Sequence, residues 1–214
     1  TANEKVIVID QGTSESNYMT LVVSGSTFFK PYSNVNDFKP DNPLTTRIVY
    51  GITPEVNPKA PFNRAEYFIK RTSTIPSRCA PGTGVLYKAT MNQSSSGTNQ
   101  FTEMPLVDCA VDMQVIYGLD TDNDGSIDNR RDTISNLTAK KIREQVKEVS
   151  IYILAQEGQK DMNYTYPAQT ITVGEYGLGH DIDLKTIIGD PEYKYYRWKV
   201  YKLTVKPNNL GGQL

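Results

Sequence analysis

Apolar and polar residues alternate most regularly between Val107 and Tyr117. Val107, Cys109, Val111, Met113, Val115 and Tyr117 are interleaved with Asp108, Ala110, Asp112, Gln114 and Ile116. A period of two marks a strand with one face in a core and the other toward solvent, which is antiparallel behaviour. This strand is expected at the centre of its sheet with the Val107-to-Tyr117 phase inward. A second alternation runs through Val149, Ile151, Ile153 and Ala155, and a long aromatic strand spans Tyr195 to Lys206. These two are expected to pair. In the last strand the apolar phase moves from Trp198 and Val200 to Tyr201, Leu203 and Val205, which predicts a bulge or strong twist. Shorter strands are read at Glu66 to Arg71 and Val85 to Thr90. Val6 to Ile9 and Tyr18 to Val23 flank a turn-rich span and form a predicted hairpin. Residues 30 to 62 hold six prolines and predict a long irregular loop with a short strand at Arg47 to Tyr50. Asn92 to Gln100 reads as an exposed hairpin tip. A helical period appears once, over about Thr138 to Lys147, with Ala139, Ile142 and Val146 on the stripe that should pack on the sheet. With no repeat and no dividing linker, residues 1–214 are expected to form a single α+β domain of mostly antiparallel β-sheet with one clear helix and long loops.

Composition agrees with β structure, Tyr 14, Gly 15 and Pro 12 being high. Lys+Arg 23 against Asp+Glu 24 removes the basic face that nucleic acid would require. No apolar run is long enough to span a bilayer. The opening Thr1-Ala-Asn-Glu4, followed at once by strand-like residues, reads as a processed or truncated start. The two cysteines, Cys79 and Cys109, could be free buried thiols, half of a metal site or a disulfide. One histidine and no Cys-x-x-Cys argue against zinc. A disulfide would close a loop worth about 3.7 kcal/mol in chain entropy, and it suits an oxidising compartment outside the cytoplasm.

The most specific local chemistry lies in Asp120-Thr-Asp122-Asn-Asp124-Gly125-Ser126-Ile127-Asp128. Acids at alternate positions, a glycine at the sixth and an acid at the ninth follow the first three quarters of a Ca²⁺ loop. A hard cation needs several oxygens, and a curling chain can offer the Asp120, Asp122 and Asp124 side chains, the Ser126 carbonyl and Asp128. Ile127 falls where such loops return an apolar side chain to the core. Position twelve, normally a bidentate Glu, is Arg131, and Asp132 lies one residue late. The competing reading is an ordinary Asp/Asn/Gly turn.

Catalytic candidates are sparse. His180 sits beside Asp181 and Asp183, but no nucleophile, Walker or dinucleotide motif accompanies it, so it reads as a loop histidine. Asp108 and Asp112 would stand about 13 Å apart along a strand, too far for a retaining glycosidase pair. Lys140, Lys141, Arg143 and Lys147 read as the solvated face of the helix. Tyr193, Tyr195, Tyr196 and Trp198 could stack sugars or pack a partner, but aromatics in a strand are more often core. A non-catalytic protein is expected.

Several stretches in order carry a family pattern. They are Pro76-Ser-Arg-Cys79-Ala-Pro-Gly-Thr-Gly-Val-Leu-Tyr-Lys-Ala89, Pro105-Leu-Val-Asp-Cys109-Ala-Val-Asp-Met-Gln-Val115 and Tyr117-Gly-Leu-Asp-Thr-Asp-Asn-Asp-Gly125. Ile142-Arg-Glu-Gln-Val-Lys-Glu-Val149, Ala155-Gln-Glu-Gly158, Tyr196-Arg-Trp-Lys-Val-Tyr201 and Pro207-Asn-Asn-Leu210 follow. Together, over roughly residues 62 to 210, they resemble the head domain of PilW-type minor pilins of bacterial type IV pili, relatives of the J-type minor pseudopilins of type II secretion. The resemblance implies a pilin-like head whose leader and N-terminal hydrophobic helix are absent from this chain. It also implies a non-catalytic role in priming pilus assembly and in the tip complex, with other minor pilins, the major pilin and a large tip adhesin as partners. The implied location is the pilus at the cell surface, after an inner-membrane-anchored stage that depends on the missing helix. The calcium loop carries over at Asp120, Asp122, Asp124 and Asp128, with Ser126 through its backbone. A free extracellular calcium-dependent surface- or carbohydrate-binding module is the alternative, and an enzyme using His180 is the third class.

Overall fold

A computed structural model describes residues 5–10, 20–21, 29–32, 34–52, 64–71, 75–92 and 101–207. The fold is α+β and mostly antiparallel sheet, and the chain divides into two compact units. The first comprises Thr1–Arg64 with Thr90–Thr102, the second Ala65–Ala89 with Glu103–Gln213.

The first unit is built on strand β1 (Lys5–Asp10), whose Val6 and Val8 bury against Phe38. Strands β2 (Thr20–Leu21) and β3 (Lys30–Pro31) pair with successive parts of one edge of β1, and β4 (Arg47–Ile52) covers the other from Lys5↔Ile52 to Asp10↔Arg47. The Ile9↔Leu21 pairing matches the expected hairpin, although its turn lies outside the described residues. The described part of the proline-rich span includes the 3-10 turn Val35–Phe38, capped by the Asn34 side chain.

The second unit holds a sheet in the order β12-β9-β7-β6-β5. Its strands are β5 (Ala65–Lys70), β6 (Gly84–Met91), β7 (Phe101–Leu119), β9 (Val146–Glu157) and β12 (Arg197–Val205), the last two residues of β6 and the first two of β7 being counted in the first unit. Strand β8 (Asn129–Arg131) pairs with the end of β7. As expected, β7 is central and β9 pairs with β12, antiparallel, from Arg197↔Glu157 to Val205↔Val149. The predicted tip beyond Asn92 lies outside the described residues.

Three expectations need correction. First, β7 does not keep one phase. Ala110 faces Ala155 and Asp112 faces Leu154, so Val111 is an extra residue, and Cys109 two residues before it takes φ 56°. This bulge buries Cys109, Ala110 and Val111 together and then exchanges the faces. Ile116 enters the core, while Met113, Val115 and Tyr117 lie half-buried on the opposite side. Second, β12 pairs without any bulge. Its phase change instead places Trp198 on the face with the core and Tyr201, Leu203 and Val205 on the other. Third, helix α1 (Ala139–Gln145), capped by Thr138, buries none of its residues. Ala139 is exposed, and Val146 is buried as the first residue of β9.

The inner face of the sheet is covered by elements too short or too polar to read from the pattern. These are β10 (Thr170–Val173), β11 (His180–Asp183), α2 (Leu184–Ile188) and the 3-10 turn Glu192–Tyr195. Ile116, Tyr152, Leu154 and Trp198 meet Val173, Leu184, Ile188, Tyr193 and Tyr196 there. Each such fully buried side chain contributes about 1.5–3 kcal/mol.

Cys79 and Cys109 are disulfide-bonded, Cα to Cα 5.0 Å, as expected. The loop that carries Cys79 is also held by Gln156. Its Oε1 accepts the Ala80 N–H at 2.6 Å, and its Nε2 donates to the Arg78 carbonyl at 2.8 Å and the Gly158 carbonyl at 2.9 Å.

Candidate functional site

The acidic loop follows directly from β7 and is closed at its base. The Asp128 N–H donates to the Leu119 carbonyl at 3.0 Å, and the Asp120 N–H donates to the carbonyl of Gln145 at the end of α1 at 2.8 Å. Gly125 takes φ 92°, the left-handed conformation that the sixth position demands. Ile127 packs over Gly118, where an added Cβ would come within 2.9 Å of its Cδ1.

Asp120, Asp122 and Asp124 each present a carboxylate oxygen within 4.8 Å of the others. Asp120 is 1% exposed and accepts backbone N–H groups from Asp124 at 3.1 Å and Gly125 at 3.0 Å. Lys147 Nζ lies 3.8 Å from its Oδ2, a partial counter-charge. The Ser126 N–H donates to Asp124 Oδ1 at 2.7 Å. Asp128 lies outside this three-carboxylate cluster but beside Asp122, with which it also shares hydrogen bonds. Its two oxygens accept from the Thr121 N–H and hydroxyl, both at 2.8 Å, and those bonds hold its carboxyl below the usual carboxylate range. Arg131 pairs with Tyr117 in the sheet, so the twelfth position lies in β8. Three hard oxygen donors in so small a volume suit Ca²⁺ or Mg²⁺ better than a softer metal.

A second feature escaped the sequence reading. The registers of β7, β9 and β12 align three rows on the outer face: Met113, Ile153, Tyr201; Val115, Ile151, Leu203; Tyr117, Val149, Val205. All nine side chains are apolar or aromatic. Tyr201, Leu203 and Val205 are 43%, 58% and 43% exposed, and the other six are half-buried. The signal was the phase change in the last strand, which marks apolar residues on both faces and not a bulge.

The catalytic candidates are engaged in hydrogen bonds and ion pairs of the fold. His180 is the first residue of β11, not a loop residue, and its Nδ1 accepts from Gln114 Nε2 at 3.1 Å. Gln114 Nε2 also donates to Asp112 at 2.8 Å, while Asp108 pairs with Arg78. Asp181 accepts from the Thr172 hydroxyl, and Asp183 caps α2. Tyr193, Tyr196 and Trp198 are buried, with the Trp198 Nε1–H donating to the Tyr193 carbonyl at 2.8 Å, as the core reading of these three expected. Among the described residues no helix is long and apolar enough to cross a membrane.

The family model described as "Type IV Pilus-assembly protein W" matches residues 66–209, more than half of the chain. No curated protein and no solved structure matches. The match spans most of the second unit, including the acidic loop and all three rows of the outer face.

Proposed function

Because the chain belongs to the PilW family of type IV pilus-assembly proteins, we propose that it is a non-catalytic minor pilin subunit that helps prime pilus assembly and forms part of the tip complex. The open apolar face of β7, β9 and β12 is the observation that carries this reading. A soluble protein that works alone rarely leaves a contiguous apolar sheet face half-exposed, and such a face marks a packing surface. Its partners in this reading are other minor pilins, the major pilin and a large tip adhesin, and its place is the pilus at the cell surface.

The acidic loop serves this role structurally. Asp120, Asp122 and Asp124 hold one Ca²⁺ in this proposal, with the Ser126 carbonyl and Asp128 completing the oxygen set. Lacking a glutamate at the twelfth position, the loop should bind with a dissociation constant on the order of 10⁻⁵ to 10⁻³ M. The ion would relieve the mutual repulsion of the three carboxylates and stiffen the connection between β7 and α1.

Deleting the gene and restoring it in trans tests the assembly role. Surface pili should disappear in the deletion strain and return with the wild-type gene. A deletion strain with normal pilus numbers would overturn the reading.

A further inference from the structure

The connection between β10 and β11 contains a conflict between local preference and residue choice. The Leu178 N–H donates to the Glu175 carbonyl at 3.0 Å, and the residues between them, Tyr176 and Gly177, take φ 60° and 75°. Two central residues at positive φ follow the type I′ pattern, whose first central position favours Asn, Asp or Gly. A bulky aromatic residue there is an outlier that costs local strain. Nothing in the turn relaxes it. A Cβ on Gly174 would strike the Leu178 carbonyl, one on Gly179 would strike the Val173 carbonyl, and Leu178 packs against the main core.

The strain purchases no burial, since Tyr176 is 58% exposed. Its ring is nevertheless stacked on a charged neighbour. The Arg130 guanidinium lies 4.2 Å from the ring centroid and is itself bonded to Glu148 Oε1 at 2.8 Å. Next to it Glu175 pairs with Lys202 at 2.6 Å. The four charges around the ring are thus paired off, so covering the patch strands no unpaired ion. An aromatic ring already stacked on a guanidinium has less freedom to lose on binding than an unpacked one, and Tyr and Arg are the residue types that dominate protein interfaces.

We propose that Tyr176, backed by Arg130, is a docking anchor for a neighbouring protein subunit of the pilus assembly, seating its ring in a shallow apolar pocket of that subunit with the hydroxyl left at the polar rim. This rests on the assembly role proposed above. The paired charges favour a protein over an anionic lipid surface, which would require free cations.

Tyr176→Asn separates anchor from fold, because asparagine suits the turn while removing the ring. Its lost stack and relieved strain nearly offset, so the purified domain should melt within about 2 °C of wild type. In the deletion strain, full-length protein carrying Tyr176→Asn should restore fewer than about one tenth of wild-type surface pili, the order of loss seen when an interface anchor is removed. Tyr176→Phe should restore most of them. Normal piliation by Tyr176→Asn overturns the anchor alone. A fall in melting temperature of more than about 5 °C also overturns it, since the ring would then be a fold element. A deletion strain that piliates normally overturns the assembly role and the anchor with it.

Discussion

Replacing Gln156 with leucine keeps the side chain's bulk but removes two hydrogen bonds to the loop that carries Cys79 and a third to the Gly158 carbonyl. Gln156 is 8% exposed and Ala80 is fully buried, so the Ala80 N–H that now donates at 2.6 Å would be left without a partner or access to water. An orphaned buried donor costs about 1–3 kcal/mol, and the stranded Arg78 carbonyl adds to that, so the expected loss is roughly 3 kcal/mol. In a protein of this size that corresponds to a fall in melting temperature of roughly 6–12 °C. The chain's only tryptophan is Trp198, which faces Gln156 across the β9–β12 pair and is buried, so its fluorescence in a urea titration reports unfolding at the right place. Gln156 and the disulfide restrain the same loop, so their effects should couple. Cys79→Ser with Cys109→Ser should cost about 3.7 kcal/mol in the wild-type background and measurably less beside Gln156→Leu. A Gln156→Leu variant that loses less than about 0.5 kcal/mol would refute the assignment of Gln156 as the loop's buried partner.

Calorimetric titration of chelator-stripped protein should show one Ca²⁺ site and a calcium-dependent rise in melting temperature, worth about 2.7 kcal/mol at a hundredfold excess over the dissociation constant. Asp122→Ala should abolish both, and no heat of binding in the wild type would reduce the loop to an acidic turn. Acid should leave stability nearly flat from pH 7 to about 5, then erode it below about 4. The reason is that Arg197 at Asp161, the Lys185–Lys194 pair at Asp190 and Lys160 at Glu192 all hold their partners below the ordinary carboxylate values. Loss of melting temperature already between pH 7 and 5 would contradict that. At the alkaline end, burial and the Glu192 hydrogen bond push the Tyr196 hydroxyl up to about 12. The folded state then keeps a proton that the unfolded chain releases, so stability should fall as pH rises from about 10 toward 12. A Tyr196→Phe variant should lack that part of the decline, and an unchanged alkaline profile would count against it.

The sequence made some of this architecture readable and hid the rest for physical reasons. Alternation located β7, β9 and β12 and their neighbours, because period two is a local property of the chain. It could not say which face would be covered, since that depends on α2, β10 and β11. Those elements have four or five residues, and His180-Asp-Ile-Asp183 carries no apolar alternation. The extra residue at Val111 then reversed the expected faces of β7, a change that single-strand periodicity does not register. The helix was legible through Thr138 and its stripe, yet its packing was not. The acidic loop was the most legible feature because its spacing is local. The attachment of Asp128 to Thr121 depends on side-chain geometry and left no pattern.

The central claim is that the outer face of β7, β9 and β12 is a packing surface in the pilus. Leu203 stands in the middle row of that face and is 58% exposed, so Leu203→Glu puts a charge into the contact while removing little from the isolated fold. A surface substitution of this kind should shift the domain's melting temperature by no more than about 2 °C. Full-length protein carrying it, expressed at wild-type level in the deletion strain, should leave surface pilus numbers near those of the deletion itself. Wild-type pilus numbers from a stably folded Leu203→Glu protein would contradict the account.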